Sequence, residues 1–392
     1  MKLFKIGLLP RIVIAIILGV TCGMFFPEWA VRCFVTFNSI FSNFLSFLIP
    51  LIIVGLVTPA IADIGRGAGR LLLITALIAY GDTVISGYLS YGVSTGIFPL
   101  LIDRSAAAQA LSSANELQPF FTLEIPPLLQ VMSALITAFV MGLGISFFES
   151  NHLKTVFDEF RDIIAKTIEV ALIPILPLYI FSIFLKMSFS GQAWHIINVF
   201  ISIIGVIFIM HILLLVFQYC VAGAISHRNP FKALYNMLPA YFTALGTSSS
   251  AATIPVTLKQ VKANGVSDGI AGFVVPLCAT IHLSGSAMKI TACTVALMLM
   301  QELAIDIGQF TGFILMLGVM MVAAPGVPGG AIMAALGVLQ SILGFTAEQQ
   351  AVMIALYITM DSFGTACNVT GDGAIALVID RIYNGKKVEE NS

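Results

Sequence analysis

The sequence predicts an all-α integral membrane protein, and three observations carry that prediction. Apolar residues fill 58% of the 392 positions and charged residues only 10%, against roughly 25% charged in a soluble domain. Mean hydropathy is +1.00. Apolar runs of spanning length, about 20 residues each, recur along the chain. Membrane lipid is therefore the expected surrounding, and a net charge of −1 argues against nucleic acid as a partner. The six cysteines (Cys22, Cys33, Cys220, Cys278, Cys293, Cys367) are scattered and form no CxxC pair. They read as small buried hydrophobes, not as a disulfide framework or zinc ligands.

The first apolar run covers about residues 9–26. Its basic start resembles a signal peptide, but bulky Phe25, Phe26, Pro27 and Glu28 follow where small residues would be cleaved, so a retained helix with its basic end inside is expected. Further spans lie at about 34–62, with Pro50 and Pro59, and at about 70–101. After a polar segment comes a span at about 125–148, then a charged amphipathic stretch leading into an apolar run that ends near Lys186, then a span at about 195–226. Basic residues cluster at Lys2, Lys5 and Arg11, at Arg66 and Arg70, at Arg228 and Lys232, and at Arg381, Lys386 and Lys387. With both termini cytoplasmic, an even number of crossings places all four clusters inside.

The pattern changes at residue 229. The stretch "NPFKALYNMLPAYFTALGTSSSAATIPVTLKQVKANG" is too polar in its middle for an ordinary span and predicts two short helices meeting at a serine-rich tip. A span at about 267–300 follows, interrupted by His282, Ser284, Gly285 and Ser286. Next come two half-length apolar pieces around the Pro/Gly tip "APGVPGG", and then the last span. One arrangement thus occurs twice: a hairpin with a helix-breaking tip, then a span with a polar break. Irregular backbone at membrane depth survives only in protein or against a cavity, and paired interrupted segments point to a transporter's binding site. Half-helix N-termini there suit an anionic carboxylate, and unwound carbonyls suit a cation.

The last span carries "MDSFGTACNVTGD". At about 100° per residue, Asp361, Thr365, Asn368 and Asp372 fall within roughly 60° of one another, a polar stripe on one helix face. Asp361 and Asp372 are about 16 Å apart along that face, too far to share one proton or ion. An unpaired intramembrane carboxylate costs at least ~3 kcal/mol, so two cationic partners are expected; a substrate ammonium and a metal ion meet that requirement.

Four ordered motifs, "TSSSAATIPVT" at 247–257, "PLCATIHLSGSA" at 276–287, "GVPGGAI" at 326–332 and "MDSFGTACNVTGD" at 360–372, resemble the dicarboxylate/amino acid:cation symporter family, the glutamate-transporter fold. The resemblance is specific over about residues 225–383; earlier it rests on span order and length. It implies eight transmembrane helices, two re-entrant hairpins, inverted repeats, a homotrimer and an elevator mechanism. Residues 1–66 and 103–190 would form the scaffold, and 67–102 and 191–392 the transport domain. It implies that Asp361 holds the substrate ammonium, that Asn368, Ser249 and Ser250 hold its α-carboxylate, that Val327 and Gly329 form a lid, and that Ser286, Gly364 and Thr365 line the site. Sodium is the implied coupling ion. One site would use the Asp372 carboxylate with backbone carbonyls of Cys278, His282 and Asn368; a second would use carbonyls near Thr280, Met321, Val322 and Ala324.

Three departures qualify this. Acidic-substrate members carry an arginine three residues after the aspartate matching Asp361; here that position is Gly364. A dicarboxylate would lack its fork of donors, so a small neutral amino acid of the serine, threonine or alanine type is expected. The hairpin tip is also closer to the serine/threonine branch. Second, the family's "NMDGT" is "HLSGS" at residues 282–286. Ser284 replaces a third-site aspartate, while Asp82, beside Tyr80 and Thr83, could supply a relocated carboxylate. The alternative is a structural ion pair of Asp82 with Lys289. Third, His282 could carry a proton and make this a proton symporter, or be a neutral hydrogen-bonding ring whose backbone carbonyl matters. His152, His195, His211 and His227 receive no role. Two other classes were weighed. An intramembrane hydrolase would need His282 as base for Ser248–Ser250 but has no glycine-flanked nucleophile turn. An uncoupled channel of the same architecture could not concentrate a solute. The location implied is a bacterial inner membrane, multi-pass.

Overall fold

The computed structural model describes residues 8–65, 70–101, 117–148, 152–189, 193–324 and 328–389, and every regular element among them is helical. Of the site residues expected from sequence, Val327 lies outside the described residues.

The N-terminal part comprises α1 (Leu8–Gly23), α2 (Glu28–Gly65), α3 (Arg70–Leu101), α4 (Val131–Phe147), α5 (His152–Thr167), α6 (Ile173–Phe189) and α7 (Ala193–Ser226). The span expected at 125–148 starts later, at Val131, because Pro126 and Pro127 lack N–H groups and hold the residue before each extended. A single π-helical turn, Ile168–Leu172, joins α5 to α6 ahead of Pro174, and such turns absorb a defect in the helical ladder. The amphipathic stretch thus continues into the following span. Helix α1 packs along α6, and α2 along α4.

The C-terminal part comprises α8 (Pro230–Asn236), α9 (Leu238–Thr247), α10 (Ser250–Ala263), α11 (Asp268–Ile281), α12 (Ser284–Met300), α13 (Ile307–Ala323), α14 (Gly330–Leu343), α15 (Ala347–Thr359) and α16 (Asp361–Glu389). Helices α9 and α10 form the first hairpin, and α13 and α14 the second. The interruption expected in 267–300 falls at His282–Leu283, both extended or irregular. The last span also breaks: α15 and α16 meet at Met360 with a 63° bend. That break was not legible in the sequence. It puts Asp361 in the first turn of α16, where the helix dipole favours a carboxylate.

Among the described residues, five helices are long and apolar enough to cross a membrane, and the bent α15–α16 pair adds a sixth. Helix α3 shows the inside-out logic. Leu73, Leu77, Ile85, Leu89 and Ile97 are exposed, whereas Thr75, Thr83, Ser86, Ser90 and Ser94 are buried. Small polar residues let backbones approach closely and bond across helices: Ser86 Oγ donates to the Ser284 carbonyl at 2.8 Å and Ser90 Oγ to the Met288 carbonyl at 2.6 Å. This fastens α3 to α12, whose residues are all buried.

Candidate functional site

Four chain breaks meet in the centre of the C-terminal part. At the first hairpin tip, Ser248 adopts a left-handed conformation (φ 50°) that ends α9. Ser249 then caps α10, its Oγ accepting from Ala252 N at 3.3 Å. Ser248 Oγ lies 2.7 Å from Ser362 Oγ. Ser250 opens α10 and is buried. At the break between α11 and α12, the cap position Leu283 offers no side-chain acceptor. Asn368 supplies it from α16: its Oδ1 accepts from Gly285 N at 2.8 Å and Ser286 N at 3.2 Å, and its Nδ2 donates to Ser286 Oγ at 3.1 Å. One asparagine thus satisfies two of the orphan N–H groups that every helix start leaves.

At the second hairpin tip, Gly329 has φ +75°, a conformation that favours glycine, and its N–H donates to Asp361 Oδ2 at 2.9 Å. The other carboxylate oxygen, Oδ1, is 3.5 Å from Lys289 Nζ. Lys289 is fully buried. Its ammonium also donates to the Met360 carbonyl at 3.2 Å and sits 3.4 Å from the centroid of the Tyr357 ring. A buried cation stays charged where a carboxylate, a carbonyl and an aromatic face surround it. The carbonyl is available because α15 ends there, so the break at Met360 serves the ion pair.

These groups line a cavity of about 30 Å³ whose polar wall includes Ser248, Ser250, Ser286, Tyr357, Asp361, Thr365 and Asn368. That is room for two or three water-sized spheres of ~10–15 Å³. Of the residues expected to contact substrate, Ser250, Ser286, Asp361, Thr365 and Asn368 line it. Ser249 does not; its hydroxyl is used in the cap. Ser248 and Tyr357 line the cavity and were not among the substrate contacts expected from sequence. Tyr357 OH donates to Ser286 Oγ at 3.1 Å. Gly364 matters by its missing side chain: a Cβ there would stand 2.9 Å from Lys289 Nζ.

The second charged group lies deeper along α16. His282 Nδ1 is 2.9 Å from Asp372 Oδ1, and its Nε2 is 2.8 Å from Asp82 Oδ2. Gln218 of α7 donates through Nε2 to Asp82 Oδ2 at 2.6 Å and to Ser284 Oγ at 3.0 Å. The ion pair of Asp82 with Lys289 considered from sequence is therefore not formed; each of the two has a different partner. Both nitrogens of the His282 ring are engaged. Tyr80 and Thr83, expected beside Asp82, bond elsewhere: Tyr80 OH to the Leu315 carbonyl and Thr83 Oγ1 to the Ala79 carbonyl. Gln218 was missed. Its one signal was an amide inside the apolar run of α7 that follows His211.

The two implied sodium sites fare differently. A hard cation needs free oxygen ligands. At Asp372 the imidazole ring occupies the direction between the two carboxylates, and the Cys278 carbonyl accepts from His282 N at 2.9 Å. Those residues do not fit a sodium ion as arranged. By contrast, α11 ends at Ile281 and α13 at Ala323, and the cavity reaches Thr280 and Ala324. The last carbonyls of a helix lack intrahelical partners and carry partial negative charge. Thr280, Met321, Val322 and Ala324, at the C-terminal ends of α11 and α13, therefore keep carbonyl lone pairs for a cation, Met321 sharing its oxygen with Ala324 N at 3.3 Å.

The chain is similar to known membrane transporters. The chain is 26% identical over 398 aligned positions (97% of this chain, 98% of the relative) to the serine/threonine transporter SstT of Acinetobacter baylyi. It is 33% identical over 159 positions (40% of this chain, 28% of the relative) to excitatory amino acid transporter 4 of Mus musculus. Over 149 positions (38% and 26%) it is 30% identical to excitatory amino acid transporter 2 of Homo sapiens. The profile of the sodium:dicarboxylate symporter family matches residues 8–382. With its multi-pass apolar helices and paired broken segments, the chain belongs to the sodium:dicarboxylate symporter family and is a membrane transporter, not an enzyme.

Proposed function

We propose that the protein is a secondary active symporter that takes up a small neutral amino acid of the serine, threonine or alanine type together with sodium. The observation that carries this reading is the Lys289–Asp361 pair beside a hydroxyl-lined cavity. The pair sums to zero charge, so the site suits a solute that is itself neutral overall, a zwitterion. Its ammonium would share Asp361, and its carboxylate would meet the N-terminus of α10 at Ser250. Thr280, Met321, Val322 and Ala324 would hold the sodium ion, which when bound supplies positive charge at the cavity wall. The full-length similarity to a serine/threonine transporter supports the same substrate class.

The same reading takes residues 1–66 and 103–190 as a fixed scaffold and 67–102 and 191–392 as a moving transport domain. Eight crossings, two hairpins, a homotrimer, an elevator mechanism and a bacterial inner membrane complete it. The dense packing of α1 on α6 and α2 on α4 supports the scaffold, and the fastening of α3 to α12 supports one transport body.

A thermal-shift screen of the purified protein tests this. L-Serine or L-alanine should raise the melting temperature in sodium chloride and not in potassium chloride; ligand at 100 times its Kd adds about 2.7 kcal/mol. Stabilisation by succinate instead, or by any ligand equally without sodium, defeats the reading.

One observation favours a second substrate class. Lys289 Nζ stands where a side chain at position 364 would begin, so its ammonium could face a second substrate carboxylate. Substitution separates the two. Gly364→Arg crowds Lys289 and should abolish the serine-induced shift. Lys289→Ala/Gly364→Arg should gain a shift with L-aspartate that the parent lacks. If the parent already responds to aspartate as strongly as to serine, Lys289 serves an acidic solute.

A further inference from the structure

We infer that the His282 ring, bridging Asp82 and Asp372, fills the place a cation would take between them, so that the carrier binds one sodium ion per substrate and no more. The inference rests on the symporter reading above and deepens it. A carboxylate oxygen only accepts, so each of the two nitrogen–oxygen contacts, at 2.9 and 2.8 Å, holds one proton. Two carboxylates, one ring and two bridging protons sum to −1, wherever each proton rests between its two atoms. The arrangement is built: Gln218 steadies Asp82 and links it to Ser284, and a Cβ at Gly371 would come within 2.9 Å of His282 Cε1. Glycine at 371 lets the ring lie against α16. An external ion there would have to displace a ring that already satisfies both acids.

The neighbouring charges close the sum. Lys289 and Asp361 cancel. His211 places Nε2 3.0 Å from the Gly285 carbonyl and leaves Nδ1 without a hydrogen-bond partner, as a neutral ring does. The buried site therefore carries −1. One monovalent cation with a zwitterion makes the loaded carrier neutral; a second sodium would leave +1, and an uncompensated buried charge is costly at membrane depth. Asp82 and His282 are 200 residues apart, so their contact ties α3 to the break between α11 and α12.

The test is the coupling ratio in proteoliposomes at zero membrane potential. With one sodium per substrate, a tenfold sodium gradient is balanced by about a tenfold opposing substrate gradient; with two, by about a hundredfold. Direct binding of radioactive sodium should likewise give one ion per protomer. A ratio of two overturns the inference alone. A ratio of zero overturns it and the sodium reading together. His282→Asn supplies a second arm, because it leaves two facing carboxylates with space between them. This variant should show a larger stabilisation by sodium chloride over choline chloride than the parent does, and bind a second ion. A folded His282→Asn protein without that larger sodium response also overturns the proposal.

Discussion

Asp361→Asn abolishes uptake: in proteoliposomes under a sodium gradient, accumulation of L-serine should fall to the protein-free background. Among the described residues the carboxylate is the one acid on the cavity wall, so the proposed substrate ammonium has no other anionic partner among them. A hydrogen bond to a charged group contributes about 1.5–3 kcal/mol, which is roughly ten- to a hundredfold in affinity at ~1.4 kcal/mol per decade. The substitution also leaves Lys289 as an uncompensated cation in the site, which repels the ammonium. The two effects act in the same direction, so loss of binding and not merely of rate is expected. A serine-induced thermal shift in Asp361→Asn equal to the parent's would remove Asp361 from substrate recognition.

Lys289→Met is expected to be the most destabilising single change at the site. Removing one partner of a buried ion pair costs about 3–5 kcal/mol, because the other charge is left alone. The ammonium is also lost from the Tyr357 face and the Met360 carbonyl, which loosens the bend between α15 and α16. The double variant Asp361→Asn/Lys289→Met removes both charges and should recover most of that stability while remaining unable to transport. This double-mutant cycle separates the roles: stability follows the pair, and transport follows the acid. If Lys289→Met melts with the parent, the pair contributes nothing to the fold and the zero-charge argument for a zwitterion loses its basis. If the double variant transports, the ammonium has another partner.

Much of the architecture lies in local pattern. Hydropathy and span length indicate a multi-pass membrane protein, and the Pro, Gly and Ser clusters at 247–250 and 325–330 mark where two hairpins turn. The stripe of Asp361, Thr365, Asn368 and Asp372 follows from helical periodicity alone, and all four lie on the continuous helix α16. Two features escaped. The break at Met360 has no proline or glycine to announce it, and the chain turns there with the Met360 carbonyl meeting Lys289. The span expected to start near residue 125 underestimated Pro126 and Pro127, which keep the chain extended until α4 begins at Val131.

By itself the sequence determined that two acids lie on one buried helix face and that each must meet positive charge, because periodicity and the cost of an unpaired carboxylate are properties of a single helix in hydrocarbon. Only the tertiary structure decided which cations those are. Lys289 reaches Asp361 across 72 positions, and His282 joins Asp372 across 90 and Asp82 across 200. Such pairings are chosen by how α3, α7, α12 and α16 pack, and packing between distant helices leaves no periodic mark along the chain.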